Sequence, residues 1–265
     1  MKVIVFMNNI IQKYAPGQVG RYNDDFEPRA FGDNIQKWGT STILIESGGF
    51  NNDTEKQEIR KLNYVSILSA IYTIAKQNYT DILLADYEKI PENDRKLFDL
   101  KITNATYEIN GKTYILDIGM NRLEVEKEGN NDFWYSSRVI DQGDLSTYYG
   151  YENFDATGYT IRAGKIAPLT YSGPAELNEK DIFEMLQQGY TYAKSNKIPS
   201  DWLAFPLPIH LVSKNFELSN FNLEVGINPT FLLEKDGVNE YAIVNGFLID
   251  LQKRTGTFKN AMIYR

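Results

Sequence analysis

The chain has 265 residues, 42% of them hydrophobic and 24% charged, a balance that supports a sizeable buried core in one large or two ordinary domains. Its 35 acidic and 28 basic residues give a formal charge of −7, which argues against nucleic acid, whose recognition needs a basic surface, and no polybasic run offers itself to an anionic membrane. Cysteine is absent, so disulfides and thiolate metal sites are excluded.

The opening "MKVIVFMNNIIQKYAPG" places only about five apolar residues before Asn8 and Asn9, too few for a signal-peptide core. No run reaches the roughly 18 apolar residues of a membrane span. The chain therefore reads as soluble and without an address, and its compartment is left open. Val3–Phe6 has the composition of a short strand, and Gly32–Trp38 that of a helical turn. Thr40–Ile45 is β-branched or aliphatic apart from Ser41, the pattern of a strand buried on both faces. In "NNDTEKQEIRKLNYVSILSAIYTIAKQ", Asn52 with Glu55 and Thr54 with Gln57 both fit a capping box. Ile59, Leu62, Val65 and Leu68 then recur at helical spacing, widened by Tyr64, Ile67, Ile71 and Ile74, with no charge between Lys61 and Lys76. The spacing predicts a helix over 53–77 that buries its second half.

Residues 79–95 read as a helical connector ending near Pro91. The period then changes to two. In "ATYEINGKTYILDIG", Asn110-Gly111 between alternating runs predicts a two-residue hairpin, which sets Tyr107 opposite Tyr114 and Ala105 opposite Leu116. Short strand-like runs continue to about residue 172. "NEKDIFEMLQQGYTYAKS" reads as an amphipathic helix over 178–195, with Ile182, Met185, Leu186 and Tyr190 on one side. Residues 202–265 return to strands, with a second hairpin around Asp236-Gly237. The expected class is α/β followed by a mostly β domain: an α/β part over 1–78, the connector over 79–95, and a β-rich part over 96–265 with one helix near 178–195.

Glu46 ends the apolar run 40–45 and is followed by Ser47, Gly48 and Gly49. Ligands of open α/β sheets bind where strands reach their carboxyl ends, so a carboxylate there stands where a substrate could approach it. The plainer alternative is a carboxylate that accepts from the following amides or faces water. Here "FEPRAFGDNIQKWGTSTILIESGGF" and the helix after it resemble the C-terminal third of the catalytic domain of bacterial zinc carboxypeptidase-like proteins, metallopeptidases of the carboxypeptidase A type. The resemblance covers residues 4–80. It implies that Glu46 is the general base acting on a zinc-bound water, whose pKa the metal lowers, that Tyr22 is the flap tyrosine (Tyr14 being the other candidate), and that Ser47, Gly48 and Gly49 border the substrate. It also implies a peptide or related amide substrate in the intact parent protein.

The departure is as informative as the match. The family's zinc ligands, a His-x-x-Glu pair and a later His, all precede the base, whereas this sequence has one histidine, His210, and no His-x-x-Glu. The chain therefore resembles the C-terminal portion of such a peptidase; zinc belongs to the intact family and is not expected on this chain, which is expected to be inactive alone. His210, in "FPLPIHLVS", reads as a packed or surface residue. Asp24, Asp25 and Glu27, near Arg21 and Arg29, read as a solvated loop with local ion pairs. "DLKITNATYEINGKTYILDIG" resembles the opening of the small β-sandwich of amidohydrolases, from which only β architecture is carried over. The tyrosine-rich "TYYGYENFDATGY" reads as β-domain filling, and as a glycan- or peptide-binding surface if the chain is instead a non-catalytic interaction module. A sheet lacking neighbouring strands would also expose an edge prone to self-association.

Overall fold

A computed structural model of the chain describes residues 1–23, 25–126, 133–197, 204–205, 207–256 and 261–262. The chain divides into two compact units, Met1–Leu97 and Phe98–Arg265. With 22% helix and 35% strand, it is α/β in content, and the strands lie in the β-rich second unit.

The first unit holds four helices, α1 (Lys2–Ile11), α2 (Phe31–Lys37), α3 (Gln57–Lys76) and α4 (Ala85–Glu88). The expected strand at Val3–Phe6 is the middle of α1, which buries Val5, Met7 and Ile11 and packs on α3. A short β-branched run is ambiguous by composition, and burial against a neighbouring helix decides it here. The expected strand at Thr40–Ile45 has no regular structure and is exposed throughout. A strand needs a ladder partner for its backbone groups, and up to residue 96 the described residues offer only the isolated bridge Arg21↔Glu92.

Helix α3 forms close to the expected limits, but its cap is neither Asn52 nor Thr54. Asp53 accepts from Gln57 N at 2.8 Å and from Ile59 N at 3.1 Å, satisfying two of the orphan amides of the first turn. At the other end Gln77 turns left-handed at φ 56°, and Asn78 N donates back to Thr73 O. The expected burial of its second half is reversed. The buried residues are Ser66, Ala70 and Thr73, while Tyr64 (66% exposed), Ile67, Leu68, Ile71 (60%) and Ile74 face solvent. At 3.6 residues per turn these two sets lie on opposite sides of the helix.

In the second unit the strands are β1 (Leu97–Ile109), β2 (Lys112–Glu126), β3 (Phe133–Gly143), β4 (Tyr149–Asp155), β5 (Thr160–Ala163), β6 (Lys165–Tyr171), β7 (Tyr190–Ser195), β8 (Ala204–Phe205), β9 (His210–Ser213), β10 (Phe231–Lys235), β11 (Val238–Val244), β12 (Phe247–Asp250) and β13 (Ala261–Met262). One large mixed sheet runs β12-β11-β10-β5-β1-β2-β3, with β4 also on β1. The first hairpin has the register expected of Asn110-Gly111, Tyr107↔Tyr114 and Ala105↔Leu116. Both turn residues have positive φ, as a type I′ turn requires. Asp236-Gly237 repeats the geometry between β10 and β11.

The helix expected over 178–195 is shorter. Helix α5 (Glu179–Gln187) is capped by Asn178, whose side chain accepts from Asp181 N. It stops at Gly189, where φ is +95°, a conformation glycine adopts without strain. Tyr190–Ser195 is β7, parallel to both β6 and β9, with Thr191, Ala193 and Ser195 buried in alternation. Ile182, Leu186, Ala193, Leu211, Leu232 and Ile249 share one core; Leu100, Ile118, Val139, Phe231 and Leu233 belong to a second. No helix among the described residues is long and apolar enough to cross a membrane.

Candidate functional site

Glu46 lies in the exposed, irregular segment between α2 and α3, and its carboxylate is open to solvent. The segment is tied to the helix by its neighbour: Asn63 Nδ2 donates to Ser47 Oγ at 2.7 Å. Gly48 is unhindered, since a Cβ there would meet nothing within 4 Å, and Gly49 is half-buried. The structure thus joins Ser47 to α3 but does not place Glu46 at the end of a strand.

Tyr22 is 54% exposed, and among the described residues no hydrogen bond joins it to Glu46. Its neighbour Arg21 reaches elsewhere, donating to Ile90 O at 2.9 Å and pairing with Glu88 at 2.5 Å. In the charged loop, Glu27 pairs with Arg29 at 2.9 Å, and the guanidinium holds this exposed carboxylate below its usual range. Asp25 bonds Asn23; Asp24 lies outside the described residues. The first unit also carries a cleft of about 400 Å³ between α1 and the α4 region, lined by Asn8, Asn9, Gln12, Asp86, Lys89 and Ile90. Neither Glu46 nor Tyr22 lines it.

His210 is fully buried in a polar network. Thr230 Oγ1 donates to Asn228 Oδ1 at 2.8 Å and accepts from Asn245 N at 3.1 Å. With the hydroxyl proton so committed, the 2.7 Å contact between Thr230 Oγ1 and His210 Nε2 has the nitrogen as donor. The imidazole also stacks on Tyr192, centroids 5.1 Å apart. It is a packed histidine. Among the described residues no group of three or more His, Asp or Glu side chains could hold a metal, so those residues do not fit the zinc of carboxypeptidase-like proteins.

The tyrosine-rich stretch fills the second unit's interior and rim. Tyr148 stacks on Phe98 at 5.3 Å, and Phe154, Tyr159 and Tyr241 cluster with centroids 4.7–6.0 Å apart. The Tyr159 hydroxyl donates to Glu240 at 2.6 Å, and that hydrogen bond, with burial, raises its pKa. Burial pushes Tyr192 up to about 12.

A second cleft of about 370 Å³ lies in this unit, lined by Glu179, Phe183, Leu207, Pro208, Ile249 and Arg254 among others. No local sequence pattern marks it. Its residues come from α5, the approach to β9, β12 and the turn after it, and only folding brings them together.

No family model matches the chain, and no curated protein matches it. Among solved structures it is weakly similar to amidohydrolases. One is a D-aminoacylase studied for its binuclear metal centre (20% identity over 38% of this chain and 19% of that chain, TM-score 0.27). Another is a D-aminoacylase described as defining a novel subset of amidohydrolases (21%, 37% and 18%, 0.27). A third is the N-acyl-D-glutamate deacylase of Bordetella bronchiseptica, complexed with zinc and a phosphonate inhibitor (19%, 38% and 19%, 0.27). The chain spans about a fifth of the length of these proteins. At a TM-score of 0.27 the overlap fixes no shared architecture.

Proposed function

We propose that the first unit is the general-base portion of a carboxypeptidase-A-type peptidase domain, acting on a C-terminal peptide bond or a related amide, and that the residues holding zinc belong to polypeptide outside these 265 residues. The observation that carries this reading is α3, which shows solvent its large apolar side chains and buries its small ones. Such a stripe is worth about 25 cal/mol per Å² once covered, so the helix has the surface of an interior element of a larger layered domain. The unpaired 40–45 segment beside it has the composition of a strand awaiting neighbours. Glu46 follows that segment, open to solvent, as a group that must meet water and substrate has to be. In this role its carboxylate takes a proton from the attacking water and returns it to the leaving amine. The Ser47–Asn63 hydrogen bond holds the segment against α3, and Gly48 leaves the approach clear.

Alone, the chain is expected to show no zinc-dependent peptidase activity; micromolar zinc affinity with chelator-sensitive turnover would overturn that. The direct test joins the chain, after a segment carrying His-x-x-Glu and a later histidine, into one polypeptide that hydrolyses a C-terminal amide. There Glu46→Gln should lower kcat by about 10²–10⁴-fold with an unchanged thermal midpoint, because the side chain is exposed. Full activity in that variant would reject Glu46 as the base.

A further inference from the structure

The cleft of about 370 Å³ in the second unit falls within the size range of small-molecule sites. Its apolar lining comes from Phe183, Leu207, Pro208 and Ile249. Two opposite charges, Glu179 and Arg254, line it, and among the described residues neither enters an ion pair. Glu179 stands in the first turn of α5, but the cap there is made by Asn178 and Asp181, and the Glu179 carboxylate is exposed. Arg254 follows Lys253, which pairs with Asp250 at 3.1 Å, so the nearby carboxylate is already taken. Arg254 takes the left-handed region at φ 54° as the last residue of the turn that closes the Asp250↔Thr255 bridge, which leaves its side chain exposed at the cleft. Beside the cleft, a Cβ on Gly256 would meet Leu248 O at 2.9 Å, so the chain lies tight against β12 here.

A guanidinium without a carboxylate, a carboxylate without a cation and an apolar wall complement one kind of small molecule. We propose that this cleft binds a free α-amino acid with an apolar side chain, its carboxylate on Arg254, its ammonium on Glu179 and its side chain against Phe183, Leu207, Pro208 and Ile249. A simple anion would leave Glu179 opposing it, and an uncharged apolar ligand would use neither charge. The proposal is independent of the hydrolytic reading of the first unit, and its readout is binding, not turnover.

The test is calorimetric titration of the whole chain with L-leucine as probe. Saturable binding is expected, weakened about tenfold or more when leucine is replaced by leucinamide, N-acetyl-leucine or glycine, which remove the carboxylate, the ammonium and the side chain in turn. Arg254→Gln should abolish the preference for leucine over leucinamide, and Glu179→Gln the preference for leucine over N-acetyl-leucine. Both residues are exposed, so unchanged thermal midpoints separate lost binding from lost folding. No saturable heat up to about 10 mM leucine, equal affinity for N-acetyl-leucine, or undiminished affinity in Arg254→Gln overturns the proposal.

Discussion

Helices α3 and α5 both carry an apolar stripe, yet only α5 buries it. Ile182, Phe183, Met185 and Leu186 of α5 are all buried, and its polar residues stay out. In α3 the buried side carries Ser66, Ala70 and Thr73, and the apolar side faces water. Amphipathicity therefore reports which face of a helix seeks apolar contact, not whether its own chain supplies that contact. Helix α5 finds that contact within its own unit; α3 does not.

The contrast is broken most forcefully in the second unit's core. Leu186 is fully buried, with Ile182, Leu211 and Ile249 in the same cluster, so Leu186→Ala should cost about 2–5 kcal/mol through lost transfer and an unfilled cavity. Urea unfolding measures it. A loss of less than about 1 kcal/mol would mean that α5 is no better buried than α3.

A second test exploits titration. Burial raises Tyr192 from its ordinary 10.0 to about 12, so the folded state holds the phenol neutral after the unfolded chain has begun to ionise. The sign follows from linkage. This stabilisation is fully present below pH 10 and is lost as pH rises through about 12, a difference on the order of 2–3 kcal/mol. Tyr192→Phe should flatten the alkaline fall in stability over that window, read from urea unfolding at several pH values. An unchanged slope would show that the ring is wetter than its stack on His210 and Phe216 implies.

How much of this could be read from the sequence depends on how local each determinant is. Asn110-Gly111 and Asp236-Gly237 specify their hairpins within four residues, and the Tyr107↔Tyr114 register follows from the turn alone. The limits of α3 were legible, although Asp53 and not Asn52 or Thr54 turned out to cap it. Val3–Phe6 was misread because a short apolar run fits a buried helix as well as a strand. The helix expected to continue to 195 was misread because "QQGYTYAKS" keeps an apolar residue at helical spacing while its own alternation suits β7. Thr40–Ile45 has a strand's composition, but a ladder requires a partner that no local signal can promise. Glu46 was visible as a motif, whereas its openness was not. Glu179 and Arg254 were invisible as a pair, because nothing short of the fold brings them to one cleft.

Smaller effects belong to the first unit. Asp53 accepts two amide hydrogen bonds at the start of α3, so Asp53→Ala should cost about 1 kcal/mol, seen as a lower helical signal at a given urea concentration. Because α3 has little large apolar surface buried against its own unit, that modest loss should be a larger share of the first unit's stability than a comparable cap at Asn178 is of the second's. Equal fractional losses would contradict the asymmetry.

The smallest stability change should carry the most information about α3. Ile71 is 60% exposed on the uncharged stretch between Lys61 and Lys76. Ile71→Lys removes apolar surface from water contact without emptying a core, so unfolding stability should move by no more than about 0.5 kcal/mol. Binding of a hydrophobic dye should fall, because a charge now interrupts the stripe formed with Tyr64, Ile67 and Leu68. In the joined polypeptide that supplies the zinc-holding residues, the same substitution should become costly, about 2 kcal/mol or more, since a lysine would then be buried without a partner. A substitution that is silent in the isolated chain and damaging in the joined one identifies the face as an interior surface; one that is silent in both makes it ordinary solvent-exposed helix and removes the main support for reading the first unit as part of a larger domain.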